Sequence, residues 1–191
     1  AGETDRQIIR AAGGVYRHYG LKRVYYSGYV PVLEDKRLPP LSTQVPLRRE
    51  NRLYQADWLM RFYGFSDHEI LDDQQPFLDL DFDPKLAWAL RHREWFPVPL
   101  QHAPLEMILR VPGIGVKSAR KIVQARRFRM ITMAHLRKMG VALNRARYFI
   151  TLPEPNRYAD LIDSPQLRSL LLQNTRSKFS QSDAVQTDLF G

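Results

Sequence analysis

Leu105-Glu-Met-Ile-Leu-Arg-Val-Pro-Gly-Ile-Gly-Val-Lys-Ser-Ala-Arg-Lys-Ile-Val123 is the stretch on which the fold of this chain turns. It reads as a short helix, a Pro-Gly-Ile-Gly hairpin and a second helix. Pro104 suits the first turn of the first helix, where no backbone N–H is needed. Gly113 and Gly115 allow a tight turn and a close approach of a ligand to the backbone. Beyond Gly115, Ala119, Ile122 and Val123 fall on one face of an amphipathic run. The start of that helix leaves unpaired N–H groups at a positive dipole end. An anion such as a phosphate fits there, with Lys117 and Ser118 beside it.

The pattern recurs 27 residues later. Leu109-Arg-Val-Pro-Gly113-Ile-Gly-Val-Lys-Ser-Ala119-Arg-Lys-Ile-Val123 overlays Leu136-Arg-Lys-Met-Gly140-Val-Ala-Leu-Asn-Arg-Ala146-Arg-Tyr-Phe-Ile150. Leu, Arg, the first Gly, Ala and the following Arg coincide. Units of this kind pack against each other to bury what one alone leaves exposed. The second copy lacks the Pro and has Ala142 in place of the second Gly, so weaker phosphate binding or a packing role is expected of it. A plain turn needs neither the paired glycines nor the echo. The stretch resembles the helix–hairpin–helix motif of proteins that bind DNA without reading its sequence. That resemblance implies DNA contacts from Pro112, Gly113, Ile114, Gly115, Lys117, Ser118, Arg120 and Lys121, with Gly140 and Arg145 from the second copy.

The charge points the same way. The chain of 191 residues carries 29 Lys or Arg and 20 Asp or Glu, a net +9. Residues 101–150 hold 11 basic residues and a single acid, Glu106, or +10. Residues 1–100 balance at 14 of each sign, and residues 151–191 carry −1. A basic surface can be no more than a solvated face. Confinement of the whole excess to the segment with the glycine turns favours nucleic acid.

There is no cysteine, which excludes a disulfide and a thiolate site for zinc or an iron–sulfur cluster in this chain. No run approaches the roughly 18 apolar residues of a membrane span, and no secretory signal is present, so a cytoplasmic protein with no membrane partner is expected.

Residues 4–19 read as an amphipathic helix stopped by Gly20. Val24-Tyr-Tyr-Ser-Gly-Tyr-Val30 reads as a strand ended by Pro31. Such a strand needs partners that the rest of the chain barely offers, and the chain starts with Ala directly in a helical run. Both features lead us to expect strands further upstream. Residues 31–46 form a Pro-rich connector. A second helix is expected over 47–63, rich in arginine on its polar side, and acids are at hand to pair with it: residues 66–83 carry seven Asp or Glu and no Lys or Arg. Ser66 with Glu69 has the capping-box spacing for a short helix at 67–72. Asp79, Asp81 and Asp83 alternate with apolar residues. They lack the Gly and distal Glu of a calcium loop, and capping or charge balance explains them better. Pro84 opens a helix to about His92. Residues 153–172 suggest one more helix, broken at Pro165, and the polar chain beyond Gln173 is expected to be disordered.

The last residues stand apart. Gln186-Thr-Asp-Leu-Phe190 resembles the pentapeptide with which many bacterial repair proteins and polymerases dock onto the replication sliding clamp. Leu189 and Phe190 would be the apolar anchors and Gln186 would hydrogen-bond at the rim, with Asp188 the acidic position of the motif.

Taken together, Glu3-Thr-Asp5, Leu21-Lys-Arg-Val-Tyr-Tyr-Ser27, Pro46-Leu-Arg-Arg-Glu-Asn-Arg-Leu-Tyr-Gln-Ala-Asp-Trp58, Arg61-Phe-Tyr-Gly-Phe65 and the hairpin resemble the carboxyl-terminal part of the DNA modification/repair radical SAM protein family. The resemblance implies an upstream barrel whose three-cysteine loop holds a four-iron cluster that cleaves S-adenosylmethionine; this chain itself would carry no cofactor, metal or catalytic residue. The expected fold is mainly α. Residues 1–33 would be a helix–strand remnant of the barrel, 34–99 a helical linker module, 100–152 a tandem helix–hairpin–helix DNA-binding domain, 153–172 a short helical extension and 173–191 the disordered tail. Two other readings stay open. In helix–hairpin–helix DNA glycosylases a Lys at the position of Lys117 attacks the sugar, assisted by an Asp shortly after it; here no Asp occurs between Asp83 and Asp160, and His135 stands near the expected place. The third reading is a non-catalytic helical protein-interaction module.

Overall fold

The computed structural model describes residues 2–30 and 47–174. They are mainly helical and fall into two compact units, Ala1–Pro84 and Lys85–Gly191. The connector over 31–46 and the tail, including the Gln186–Phe190 peptide, lie outside the described residues.

In the first unit, helix α1 (Asp5–Tyr19) packs on α2 (Leu47–Phe62) and α3 (Asp67–Ile70). Thr4 begins α1 with a capping box: its hydroxyl accepts from the Gln7 amide at 3.2 Å while the Gln7 side chain accepts from the Thr4 amide at 2.8 Å. Gly20 ends it in the left-handed conformation, φ +61°. The expected Ser66–Glu69 box is present at the head of α3. Ile9, Ala12, Leu53, Ala56, Leu59 and Ile70 supply the apolar core. Three carboxylates are buried among them, and each is held by an arginine: Asp5 by Arg49, Asp57 by Arg61 and Asp67 by Arg17. Burying a charge is tolerable only with such a partner. Gly13 is required where α1 meets Asp67, because a Cβ there would lie 2.7 Å from the carboxyl carbon.

The strand expected over 24–30 is not formed with any partner among the described residues. Side chains of the two helices take the place of a partner strand. The Val24 amide donates to the Tyr16 hydroxyl at 3.1 Å, and the Gly28 amide donates to Glu50 at 3.2 Å. The Tyr54 hydroxyl accepts from the Tyr26 amide at 3.1 Å and donates to the Tyr26 carbonyl at 3.0 Å. Backbone groups must find partners, and these need not be backbone. Asp79 accepts from the amides of Asp81 and Phe82, a local turn rather than a metal loop.

The second unit runs through α4 (Pro84–Arg91), a 3₁₀ turn (Arg93–Trp95), β1 (Val98–Pro99), α5 (Leu105–Arg110), α6 (Val116–Ala125), α7 (Met133–Lys138), α8 (Leu143–Ala146) and β2 (Ile150–Thr151). A second 3₁₀ turn (Ala159–Leu161) follows, then a helix α9 from 167 to 174. β1 pairs in parallel with β2, Val98 opposite Ile150 and Pro99 opposite Thr151. This closes the two helix pairs into one body by tying its start to its end.

The boundary expected at 99 therefore falls earlier. Residues 85–99 belong with the hairpins: Phe96 packs edge-on against Phe149 with ring centres 5.2 Å apart, and Trp88 packs against Phe96. The segment after 152 is likewise part of this core, since Ile162, Leu167 and Leu171 are buried in it. Its helix starts beyond Pro165 and continues through residues 173 and 174, two residues into the segment expected to be tail.

Candidate nucleic-acid interface

The duplication read from the sequence is present in space. Gly113 and Gly140, 27 residues apart, both turn with positive φ, +85° and +82°. The paired core positions Leu109 and Leu136, Ile114 and Val141, Ala119 and Ala146, and Ile122 and Phe149 are all buried. The two turns meet. The Ala142 amide donates to the Gly113 carbonyl at 2.9 Å, and the Ser118 hydroxyl donates to the Met139 carbonyl at 2.9 Å. A Cβ on Gly113 would lie 2.6 Å from the Ala142 carbonyl oxygen, so glycine is required there by close approach as well as by φ.

These contacts sort the residues proposed from the sequence. Lys117, Arg120 and Lys121 are exposed on the outer face of α6. Gly115 is the residue before that helix, with extended φ and ψ of −83° and 165°. Pro112 and Ile114 are buried, so their side chains face the core rather than a ligand. Ser118 is a correction: its hydroxyl is buried and spent on Met139, so it joins the two helix pairs and is not presented to a phosphate. Gly140 is exposed, whereas Arg145 is only half-exposed.

The second helix pair differs from the first in ways that bear on binding. Its second helix, α8, has four residues where α6 has ten. Arg147, the counterpart of Arg120, lies over the Tyr158 ring at 4.0 Å and donates to the Tyr148 hydroxyl. Tyr148, the counterpart of Lys121, is buried. The amide of Ala142 is used by Gly113. Of the two second helices, α6 is therefore the one with a basic, exposed outer face.

Sequence reasoning missed several groups around this face. Lys85 is buried on α4, and its ammonium donates to the Ile114 carbonyl at 2.6 Å, bracing the first hairpin from behind. Arg126, at the end of α6, donates to the carbonyls of Leu100 and Ala103 at 3.1 and 2.6 Å. Neither role has a local signature, because all three acceptors are backbone groups distant in the chain. Phe128 stands fully outside the core, between Arg127 and Arg129.

The first unit holds a cleft of about 450 Å³ lined by Tyr16, Arg17, Lys22, Arg61 and Asp67 among others. Tyr16 and Arg61 are bonded to Asp57, and Arg17 to Asp67. Tyr16 donates to Asp57, and burial followed by that bond pushes its hydroxyl up to about 12. Burial raises Tyr26 as well, with Asp57 adding to it. Burial pushes the Asp67 carboxyl up, but the Arg17 hydrogen bonds and charge outweigh it and hold the group below its ordinary value. No cluster of three or more His, Cys, Asp or Glu suited to a metal occurs among the described residues, and no described helix is long and apolar enough to cross a membrane.

Comparison of the chain with protein-family models, curated proteins and solved structures finds no match.

Proposed function

We propose that the second unit binds DNA through its phosphate backbone, without preference for sequence, by way of a tandem helix–hairpin–helix. The observation that carries this is the asymmetric duplication: two positive-φ glycine turns packed on each other, with one outer face basic and exposed. Lys117, Arg120 and Lys121 supply cations along α6, and the glycine turn lets a phosphate approach the start of that helix. The second hairpin, its Ala142 amide and Arg147 occupied internally, fixes the first in place.

In this reading Lys117 is a phosphate contact and not a nucleophile, because residues 107–153 contain no acid to activate it. The resemblance to the DNA modification/repair radical SAM family makes the chain the DNA-targeting part of such a protein. The Gln186–Phe190 peptide would tether it to a sliding clamp.

Anisotropy titration of a labelled duplex against salt tests the binding. With about three to five phosphates neutralised, log K falls with log salt at a slope of roughly −3 to −5, and unrelated sequences bind alike. A slope near zero removes the nucleic-acid reading.

A further inference from the structure

Phe128 is 85% exposed, more than any other large apolar side chain among the described residues. It does not hang from a loose loop. The Phe128 and Arg129 amides both donate to the Ala125 carbonyl, at 3.1 and 3.2 Å, and the Arg126 amide donates to Ile122 at 3.0 Å. The turn is clamped from the other side. Arg126 reaches the Leu100 and Ala103 carbonyls, while Gln101 donates to the Arg126 carbonyl at 3.2 Å and accepts from the Ile131 amide at 3.1 Å. A turn tied at this many points holds an aromatic ring out in water, where its apolar surface is unfavourable. Folding does not require that.

Its position adds the second half of the argument. Lys117, Arg120, Lys121, Gln124 and Arg127 are exposed at helical spacing along α6 and its continuation, and Phe128 ends that row. At the helical rise, Lys117 to Phe128 spans about 16 Å, or about five phosphate spacings of one duplex strand. A strand tracking the cations from the glycine turn thus reaches the ring.

We propose that Phe128 is a stacking platform for an unpaired base, so that the α6 face holds single-stranded or locally opened DNA more tightly than intact duplex. The inference rests on the DNA reading of this face and adds the form of DNA preferred. A phenyl ring carries no hydrogen-bonding group to read base edges, so stacking on it tolerates any sequence, and the flanking Arg127 and Arg129 hold the backbone on either side. In intact duplex both faces of each base are already covered by neighbours. Only an unstacked base offers a free face.

The test compares Phe128→Leu and Phe128→Trp with the wild-type chain, using a single-stranded oligonucleotide and its duplex. Phe128→Leu should lose about tenfold in affinity for the single strand and under twofold for the duplex, with an unchanged salt slope and unchanged melting temperature. Phe128→Trp should keep the single-strand affinity, and its added emission should be quenched by the single strand and not by the duplex. Equal loss on both forms, or no loss on either while the wild-type chain binds both, overturns the stacking role and leaves the phosphate reading standing. That second result is also what a protein partner for Phe128 would give. A wild-type chain that binds neither form removes both readings together.

Discussion

Gly113 and Gly140 are equivalent in the repeat and share a positive φ, yet their surroundings differ, and replacing each with alanine separates two costs. Either alanine must adopt a left-handed conformation that L residues avoid, at about 1–2 kcal/mol. At Gly140 little else happens, since the new Cβ meets only the Ser118 hydroxyl at 3.8 Å, an ordinary contact. At Gly113 the Cβ would lie 2.6 Å from the Ala142 carbonyl oxygen and 3.2 Å from the Ala146 amide nitrogen. Both are backbone atoms of the other helix pair and cannot swing aside. Overpacking of that kind costs a further 1–3 kcal/mol or so. Gly113→Ala should therefore be the more destabilising by about 1–3 kcal/mol, or roughly 2–12 °C in melting temperature for a chain of this size. Urea unfolding followed by tryptophan emission measures it, as Trp88 and Trp95 lie in this unit. Equal losses, within about 0.5 kcal/mol, would show that the turns do not pack face to face as described, and the account of the second hairpin as a brace would go with them.

Other perturbations probe the binding face, the buried carboxylates and the tail. Gly115→Ala with Lys117→Ala should remove most of the duplex affinity in anisotropy titrations, while changes at Ala142 and Arg145 should cost less; equal losses would refute the division of labour between the hairpins. In the first unit Asp67 and Tyr16 act at opposite ends of the pH scale. The folded value of Asp67 is depressed, so its contribution is present above the unfolded carboxylate range near 4 and is lost as pH falls below it. The folded value of Tyr16 is raised, so its contribution is full below about 10 and is lost as pH climbs toward about 12. Tyr16→Phe should flatten the alkaline limb of a stability–pH curve, and Asp67→Asn with Arg17→Gln the acid limb; limbs unchanged by these substitutions would exclude the assignments. Deleting Gln186–Gly191 should leave DNA affinity unchanged and abolish binding to a bacterial sliding clamp, for which a peptide spanning Ser180–Gly191 should show micromolar affinity by calorimetry, with absence of heat and of competition counting against the motif.

The parts of this fold that were legible in the sequence are those whose cause is local. Ser66 and Glu69 announce their capping box because both partners lie within one turn. Gly113 and Gly140 announce their turns because positive φ restricts the residue itself, and the 27-residue echo announces shared packing positions. The failures have non-local causes. The tyrosines and valines of 24–30 suit a pleated, half-buried surface, which is what strand propensity measures. Nothing in that stretch reveals that Tyr16, Glu50 and Tyr54 will satisfy its backbone instead of another strand. Pro97 and Pro99 look like the end of a module, but Val98 finds its partner at Ile150.

Ser118 shows how the same limit acts within the candidate site. In the run Gly115-Val-Lys-Ser-Ala119, lysine and serine look equally suited to a phosphate. On a helix, adjacent residues point about 100° apart, so Lys117 and Ser118 can fall on opposite sides of the boundary between the inner and outer faces. The apolar positions Ala119 and Ile122 fix which side is inward, and Ser118 lies on that side while Lys117, Arg120 and Lys121 do not. A buried hydroxyl must then find an acceptor, and the acceptor it finds is a carbonyl of the neighbouring turn. The periodicity that identified α6 thus already contained the inward placement of Ser118; only the identity of Met139 as its partner required the tertiary structure. The same reasoning, carried past the end of the helix, puts Phe128 with the cations and not with the core.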